Sequence, residues 1–355
     1  MRSYGDKPAA YLRLVPNGLL PAVSIDGKFQ TESIDIMMNL DRTFTGTDHP
    51  SMWPASNSPE FERAKGLMRL ERDLFSRWCN LVFRPSMGDS SKKFFEECFD
   101  EVDKQLAVTE GPWFLSSLSI VDLQYVTHIE RMYASAAYWS GMQLRGNRWP
   151  SIERWIRAFE QRNSYLATKS DYYTHCMDIP PQYGPGFPLP GSEIQGRKID
   201  GSDGTSWKLP LPAFNPSTDV EPIYPDNDPG VEESKQEAAY KLLSNYENII
   251  KFALRGAGQP GKKQFQAPLA DPYATPALEY YDDFSTLIKL LVQILLDDYQ
   301  KLKSLPIANN DSSTKKGLKV SLAYLRDRIG VPRDLSYPAA RQLRAHINFI
   351  IDLLK

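Results

Sequence analysis

Leu19-Leu20-Pro21-Ala22-Val23, then Asp26-Gly27, then Thr31-Glu32-Ser33, is the stretch of this chain whose residue types and order could hold a ligand. A proline in an extended run lacks an N–H and breaks a backbone ladder, so neighbouring groups such as those of Leu20 stay open. Asp-Gly between two short extended runs predicts a tight hairpin. Thr31-Glu32-Ser33 opens an apolar-periodic segment, so a helix starts there with unsatisfied N–H groups, a partial positive charge and a hydroxyl. Folded by the hairpin, the two ends offer recognition of a small extended peptide carrying a carboxylate.

The elements that must position these residues fill only the first part of a 355-residue chain. Residues 1–44 read as a β-rich α/β piece, and 45–59, rich in Pro, Ser and Thr, as a linker. From 60 to 178 the pattern is helical: Phe61, Ala64, Leu67, Met68, Leu74, Phe75, Trp78, Leu81 and Val82 recur three and four apart. Residues 179–231 hold eleven of the 27 prolines, which favours extended polyproline-like backbone, either a linker or a strap carrying Phe187, Trp207, Phe214 and Tyr224. Asp203-Gly204 in this segment is read as a short hairpin turn. Residues 232–355 return to helix, with four amphipathic segments that suggest a bundle of their own. The fold class is therefore α+β to mostly α.

Within the helical part, Ser119 followed by Asp122 is a variant capping box at a helix start. Asp122 is read as structural, with a cost of about 1 kcal/mol for its replacement by alanine. The 42 basic and 44 acidic residues leave no electrostatic footprint for nucleic acid. Cys79, Cys98 and Cys176 have no metal-ligand or disulfide-framework spacing, and with four histidines no metal is expected. The histidines show no acid partner at a telling spacing. The longest apolar run, 287–296, is far too short for a membrane span. Arg326, Arg328, Arg333, Arg341 and Arg344 near the end have acids beside them and read as a solvated, salt-bridged face or as an anion site.

The stretch KPAAYLRLVPNGLLPAVSIDGKFQTES (residues 7–33) resembles the glutathione transferases, and the likeness extends over about residues 4–40 and 60–166. The resemblance implies a partial thioredoxin-like domain followed by an all-helical second domain, the latter also marked by Ser119-Ile120-Val121-Asp122 and Trp149-Pro150-Ser151-Ile152. It implies that Leu20, before a cis Pro21, pairs its backbone with the cysteinyl part of glutathione, and that Glu32 and Ser33 hold the γ-glutamyl end. Glutathione would then be co-substrate and a small electrophile the partner, seated near Arg69, Arg72 and Trp78. Homodimers are usual in the family. Residues 325–354 resemble plant and algal members, which suggests a chloroplast as alternative to the cytoplasm.

The family's first strand and helix carry the Tyr, Ser or Cys that activates the thiol. Met1-Arg2-Ser3-Tyr4-Gly5 align with its second strand instead, so no residue here is assigned that role. A sheet without its first strand would expose a raw edge, which favours a start inside a longer protein. The expected function is conjugation of glutathione to an electrophile, or reduction with it. The alternative is a non-catalytic scaffold that binds a partner protein.

Overall fold

In a computed structural model of the chain, the described residues are 7–84, 89–261, 269–271, 273–302, 304–306 and 311–354; the strand expected over 1–5 lies outside them. The chain divides into two compact units: Met1–Leu166 with Pro181–Pro190, and Ala167–Pro180 with Gly191–Lys355.

The first unit begins with a helix that the sequence pattern does not announce, α1 (Ala9–Leu14), a run of good helix formers behind Pro8. Strands β1 (Ala22–Ile25) and β2 (Lys28–Thr31) form an antiparallel hairpin in the register Ala22↔Thr31 through Ile25↔Lys28. Its turn needs positive φ at both central positions, and Asp26 (50°) and Gly27 (77°) supply it. Helix α2 (Ser33–Phe44) follows at once. Then come α3 (Glu60–Val82), α4 (Asp89–Ala107), α5 (Ile120–Ser140), α6 (Pro150–Glu160) and α7 (Asn163–Leu166).

Helix α5 is apolar on most sides and buried over most of its length, as a central helix must be. The apolar stripe of α3 packs on it and on α4. Two polar contacts fix that packing: Trp78 Nε1 donates to Ser135 Oγ at 2.7 Å, and Tyr125 OH to the Leu67 carbonyl at 2.7 Å. The start of α6 is capped from a distance, since the Ser151 and Ile152 N–H groups both donate to Asp103 of α4. Residues 181–190 return to this unit: Phe187 N–H donates to the Val82 carbonyl (2.9 Å) and Leu189 N–H to that of Trp139 (2.7 Å). Gly186 lies so close to the Trp139 indole that a Cβ there would stand 2.2 Å from the ring. Only glycine fits.

After α8 (Tyr172–Asp178) and the short α9 (Pro180–Tyr183), whose last three residues belong to the first unit, the second unit contains α10 (Glu193–Ile199), α11 (Val231–Ser244), α12 (Tyr246–Ala253), α13 (Tyr281–Leu296), α14 (Ser312–Arg326) and α15 (Tyr337–Leu353). The last five share one core built on Leu242, Ile250, Leu287, Leu291, Leu322 and Ile347. Residues 239–253 divide between two helices, because Asn245 (φ −135°, ψ 34°) leaves helical geometry between them. Ser336 caps α15 as its position predicts, accepting the Ala339 N–H, while Glu237 accepts the Ser336 N–H and hydroxyl.

Two features of 167–231 depart from the composition-based reading. Residues 167–180 belong with the second unit, where Ser170 Oγ donates to the Val331 carbonyl and Tyr173 OH to that of Asp327. No strand forms at Asp203-Gly204: the Asp203 carboxylate collects the N–H and hydroxyl groups of Thr205 and Ser206, a local turn that outcompetes pairing. Of the aromatics placed in the strap, Trp207 is buried against Tyr173 and Phe214 lies against Tyr337, whereas Phe187 is exposed. Among the described residues no helix is long and apolar enough to cross a membrane.

His346 sits 1% exposed on α15, its Nδ1 paired with the Gln342 carbonyl at 2.7 Å and its Nε2 buried without a partner. Burial, with a small push from Lys235, lowers its pKa from the ordinary 6.5 to about 4. The folded protein thus holds this imidazole neutral where the unfolded chain protonates it. Its contribution is intact above pH 6.5 and fades as pH falls towards 4, by about 3 kcal/mol in all. His346→Leu is expected to flatten that part of the pH dependence in urea unfolding; an unchanged slope between these pH values would contradict it.

Candidate functional site

The hairpin register decides whether the two halves of the predicted site meet. Ala22 is paired with Thr31, so Pro21 and Glu32, each one residue beyond that pair, leave the same end of the hairpin side by side. The Leu20-Pro21 peptide is cis. The approach to it is held by α1: Tyr11 OH donates to the Leu19 carbonyl at 2.5 Å, Lys7 donates to the Gly18 carbonyl, and Asn17 accepts the Leu19 N–H. Leu20, Pro21, Glu32 and Ser33 are all exposed. Among the described residues, the Leu20 backbone makes no hydrogen bond.

Glu32 has φ 69° and ψ 110°, a left-handed backbone that a side chain seldom adopts. The conformation turns the chain from β2 into α2 within one residue and costs on the order of 1–3 kcal/mol. Its side chain does not cap the helix, although its carbonyl accepts the Ile36 N–H at 3.0 Å. The N–H groups of the first turn and the Ser33 hydroxyl are therefore left facing solvent. A hydrogen bond from Asn39 to Gln30 (3.1 Å) fixes the angle between β2 and α2. Such an end can accept a short extended strand on one side and a carboxylate on the other.

The three cysteines sit where burial disfavours the thiolate. Burial raises the Cys79 thiol, raises Cys98 to about 12 with help from Asp73, and pushes fully buried Cys176 well up. Among the described residues no group of three metal-ligating side chains comes together.

The placement of an electrophile near Arg69, Arg72 and Trp78 needs correction in one residue. Trp78 is fully buried, its indole N–H spent on Ser135, so it lines no cleft. Arg69 is exposed, and Arg72 lies over the Phe75 ring (4.9 Å) with two bonds of 2.6 Å to Glu71. Here the sequence reading missed a cluster. Glu71, 1% exposed, also contacts His128 Nδ1 at 2.5 Å. Burial alone would raise the Glu71 carboxyl, but the His128 and Arg72 bonds hold it below its ordinary range. Fifty-seven residues separate Glu71 from His128, so no spacing rule could pair them.

The Ser119–Asp122 cap is present and larger than a capping box. Fully buried, Asp122 accepts from the Ser119 N–H (2.9 Å), the Ser119 hydroxyl (2.7 Å), the Phe114 N–H (3.1 Å) and Trp155 Nε1 (3.0 Å). Burial still holds its carboxyl above the ordinary range. One residue thus ties the start of α5 to the loop before it and to α6, which raises the expected cost of its loss above that of a cap.

The arginines of the tail are engaged locally rather than free. Arg326 pairs with Asp327, Arg333 with Asp334, and Arg328 and Arg341 donate to carbonyls. Arg344 departs from the solvated-face reading: it is 1% exposed and paired with buried Asp171.

No family model matches the chain. Glutathione S-transferase L3 of Arabidopsis thaliana is 30% identical over 169 residues, 47% of this chain and 68% of that protein. Glutathione S-transferase L1 of the same plant is 30% identical over 157 residues, 44% of this chain and 62% of its own length. Protein IN2-1 homolog A of Oryza sativa subsp. japonica is 28% identical over 170 residues, covering 47% and 66%. Among solved structures, Leishmania TDR1, a trimeric glutathione transferase, aligns over 98% of this chain and 85% of its own, with a TM-score of 0.43 and 14% identity.

Proposed function

This chain belongs to the glutathione S-transferase family, and we propose that the open end of its hairpin binds glutathione for reaction with a small electrophile. The reading is carried by the juxtaposition of Leu20-Pro21 and Glu32-Ser33, which the register Ala22↔Thr31 makes unavoidable. In this proposal the Leu20 backbone adds the cysteinyl part of the tripeptide as a short extra strand. The Ser33 hydroxyl and the first N–H groups of α2 take the γ-glutamyl carboxylate, and Glu32 faces its ammonium. The glutathione sulfur then either bonds to the electrophile, displacing a leaving group and losing the thiol proton, or attacks a substrate sulfur to form a mixed disulfide, which a second glutathione cleaves to give the reduced substrate and glutathione disulfide. Which residue favours the thiolate is not assigned within this chain.

Retention on glutathione-agarose tests the reading. The wild-type chain is expected to be retained, and Glu32→Ala with Ser33→Ala to lose at least about tenfold in affinity, the loss of one charge-assisted contact. Unchanged retention of the double variant would refute the cradle. No retention of a folded wild-type chain would leave the family's scaffold without its ligand and favour a non-catalytic interaction module.

A further inference from the structure

We propose that the second unit carries a separate binding site for a small organic cation, a primary ammonium on a short apolar body seated against Glu221. The site is a cavity of about 240 Å³ walled by Tyr173, Trp207, Phe214 and Tyr337, with Asp171, Glu221 and Arg344 behind them. It is independent of the glutathione reading.

Charge decides which guest the cavity takes. Asp171, fully buried at the start of α8, is served by Arg344, whose Nη1 donates to it at 2.6 Å. The other end of that guanidinium donates to the Ile329 carbonyl (2.9 Å), and its faces lie 4.6 Å from the Tyr173 ring centre and 5.0 Å from that of Trp207. Arg344 thus spends both terminal nitrogens within the protein, and only its buried Nε–H has no partner among the described residues. Glu221 is 8% exposed, and its Oε2 accepts the Tyr172 N–H at 2.9 Å. Among the described residues, Oε1 accepts nothing and no cation lies within ion-pair distance of this carboxyl. With both carboxylates ionised, the pocket holds one negative charge more than its buried cation balances. The free oxygen of Glu221 thus faces the cavity rather than a protein donor, where a proton, water or a positively charged guest can meet it, and a desolvating guest must bring the compensating charge.

The neighbours of Glu221 do not fill that role. Burial and the Asp171 charge raise its pKa well above the ordinary value, and the attraction of Lys169 and Arg344 does not outweigh them. Around the same cavity, Arg341 donates to the Pro212 carbonyl and stacks on Phe214 at 4.6 Å, while Asp219 accepts the Asn215 N–H. Asp203 is held in its own turn and Lys198 is exposed at the lining. Tyr337 contributes a neutral wall, its phenol pushed up by burial and by Glu221. An anion would meet two carboxylates, Glu221 and Asp171, with only the buried Arg344 Nε–H left to receive it. A metal ion would find a single uncommitted carboxylate and no third ligand among the described residues. Aromatic walls around an uncompensated acid suit an organic ammonium.

Titration calorimetry on the full chain at neutral pH decides the matter, with 2-phenylethylamine as probe and 3-phenylpropanoate and 2-phenylethanol as anionic and neutral matches. The amine is expected to bind at least about tenfold more tightly than either. Measured in two buffers of different ionisation enthalpy, its binding should release protons to the extent that Glu221 carries hydrogen beforehand. Glu221→Gln keeps an acceptor for the Tyr172 N–H and should lose at least about tenfold in amine affinity. Equal binding of the neutral or anionic match, an unchanged affinity in Glu221→Gln, or no binding of the amine would overturn the proposal. Should that variant not fold, binding of the neutral or anionic match as tightly as the amine by the wild-type chain overturns it on its own.

Discussion

Asp122→Ala is expected to destabilise the first unit by about 3 kcal/mol or more, several times the cost of an ordinary cap. The alanine would strand four donors in a dry interior: two from Ser119, one from Phe114 and the indole N–H of Trp155. Each unsatisfied buried donor costs roughly 1–3 kcal/mol before relaxation admits water. Asp122→Asn keeps one acceptor oxygen and should recover about half of the loss. Urea unfolding of the three proteins gives the ranking. Protein that remains folded should still be retained on glutathione-agarose, because Asp122 belongs to the α5–α6 junction and not to the hairpin end. Loss of retention at unchanged stability would instead make Asp122 part of the ligand site.

The second large effect is expected at Arg344. Arg344→Met leaves Asp171 and Glu221 buried with no cation between them, at a cost of about 3–5 kcal/mol. The guanidinium also packs against both the Tyr173 and Trp207 rings, a volume methionine approximates. Adding Asp171→Asn to Arg344→Met removes one of the orphaned charges and should restore a substantial part of the stability. A double variant no better than Arg344→Met would show that packing, rather than charge, governs the site.

What could be read from residues alone was local. The Asp26-Gly27 turn, the helix start at Ser33, the Ser119–Asp122 pair and the Ser336 cap all lie within four residues of their partners, and each forms as its chemistry dictates. The left-handed φ of Glu32 was not legible, since a glutamate carries no mark of a backbone that glycine would adopt more easily. Nor were Glu71 with His128, Asp103 with the start of α6, or Asp171 with Arg344, the last 173 residues apart. These pairs arise only when helices pack, and nothing in their spacing announces them. The Arg-rich tail misled for a related reason: alternating Arg and Asp describes a wet surface well, but one member of the series turned inward.

The return of residues 181–190 to the first unit, after fourteen residues given to the second, bears on how this protein can be taken apart. The polypeptide crosses the boundary three times, so no single scission yields two whole pieces. A gene fragment ending near 166 would encode α3 and α5 without the strip that covers Val82 and Trp139, leaving both carbonyls and the indole face bare. Recombination that shuffles modules as beads on a string would break this arrangement, and the two units are bound to be inherited together.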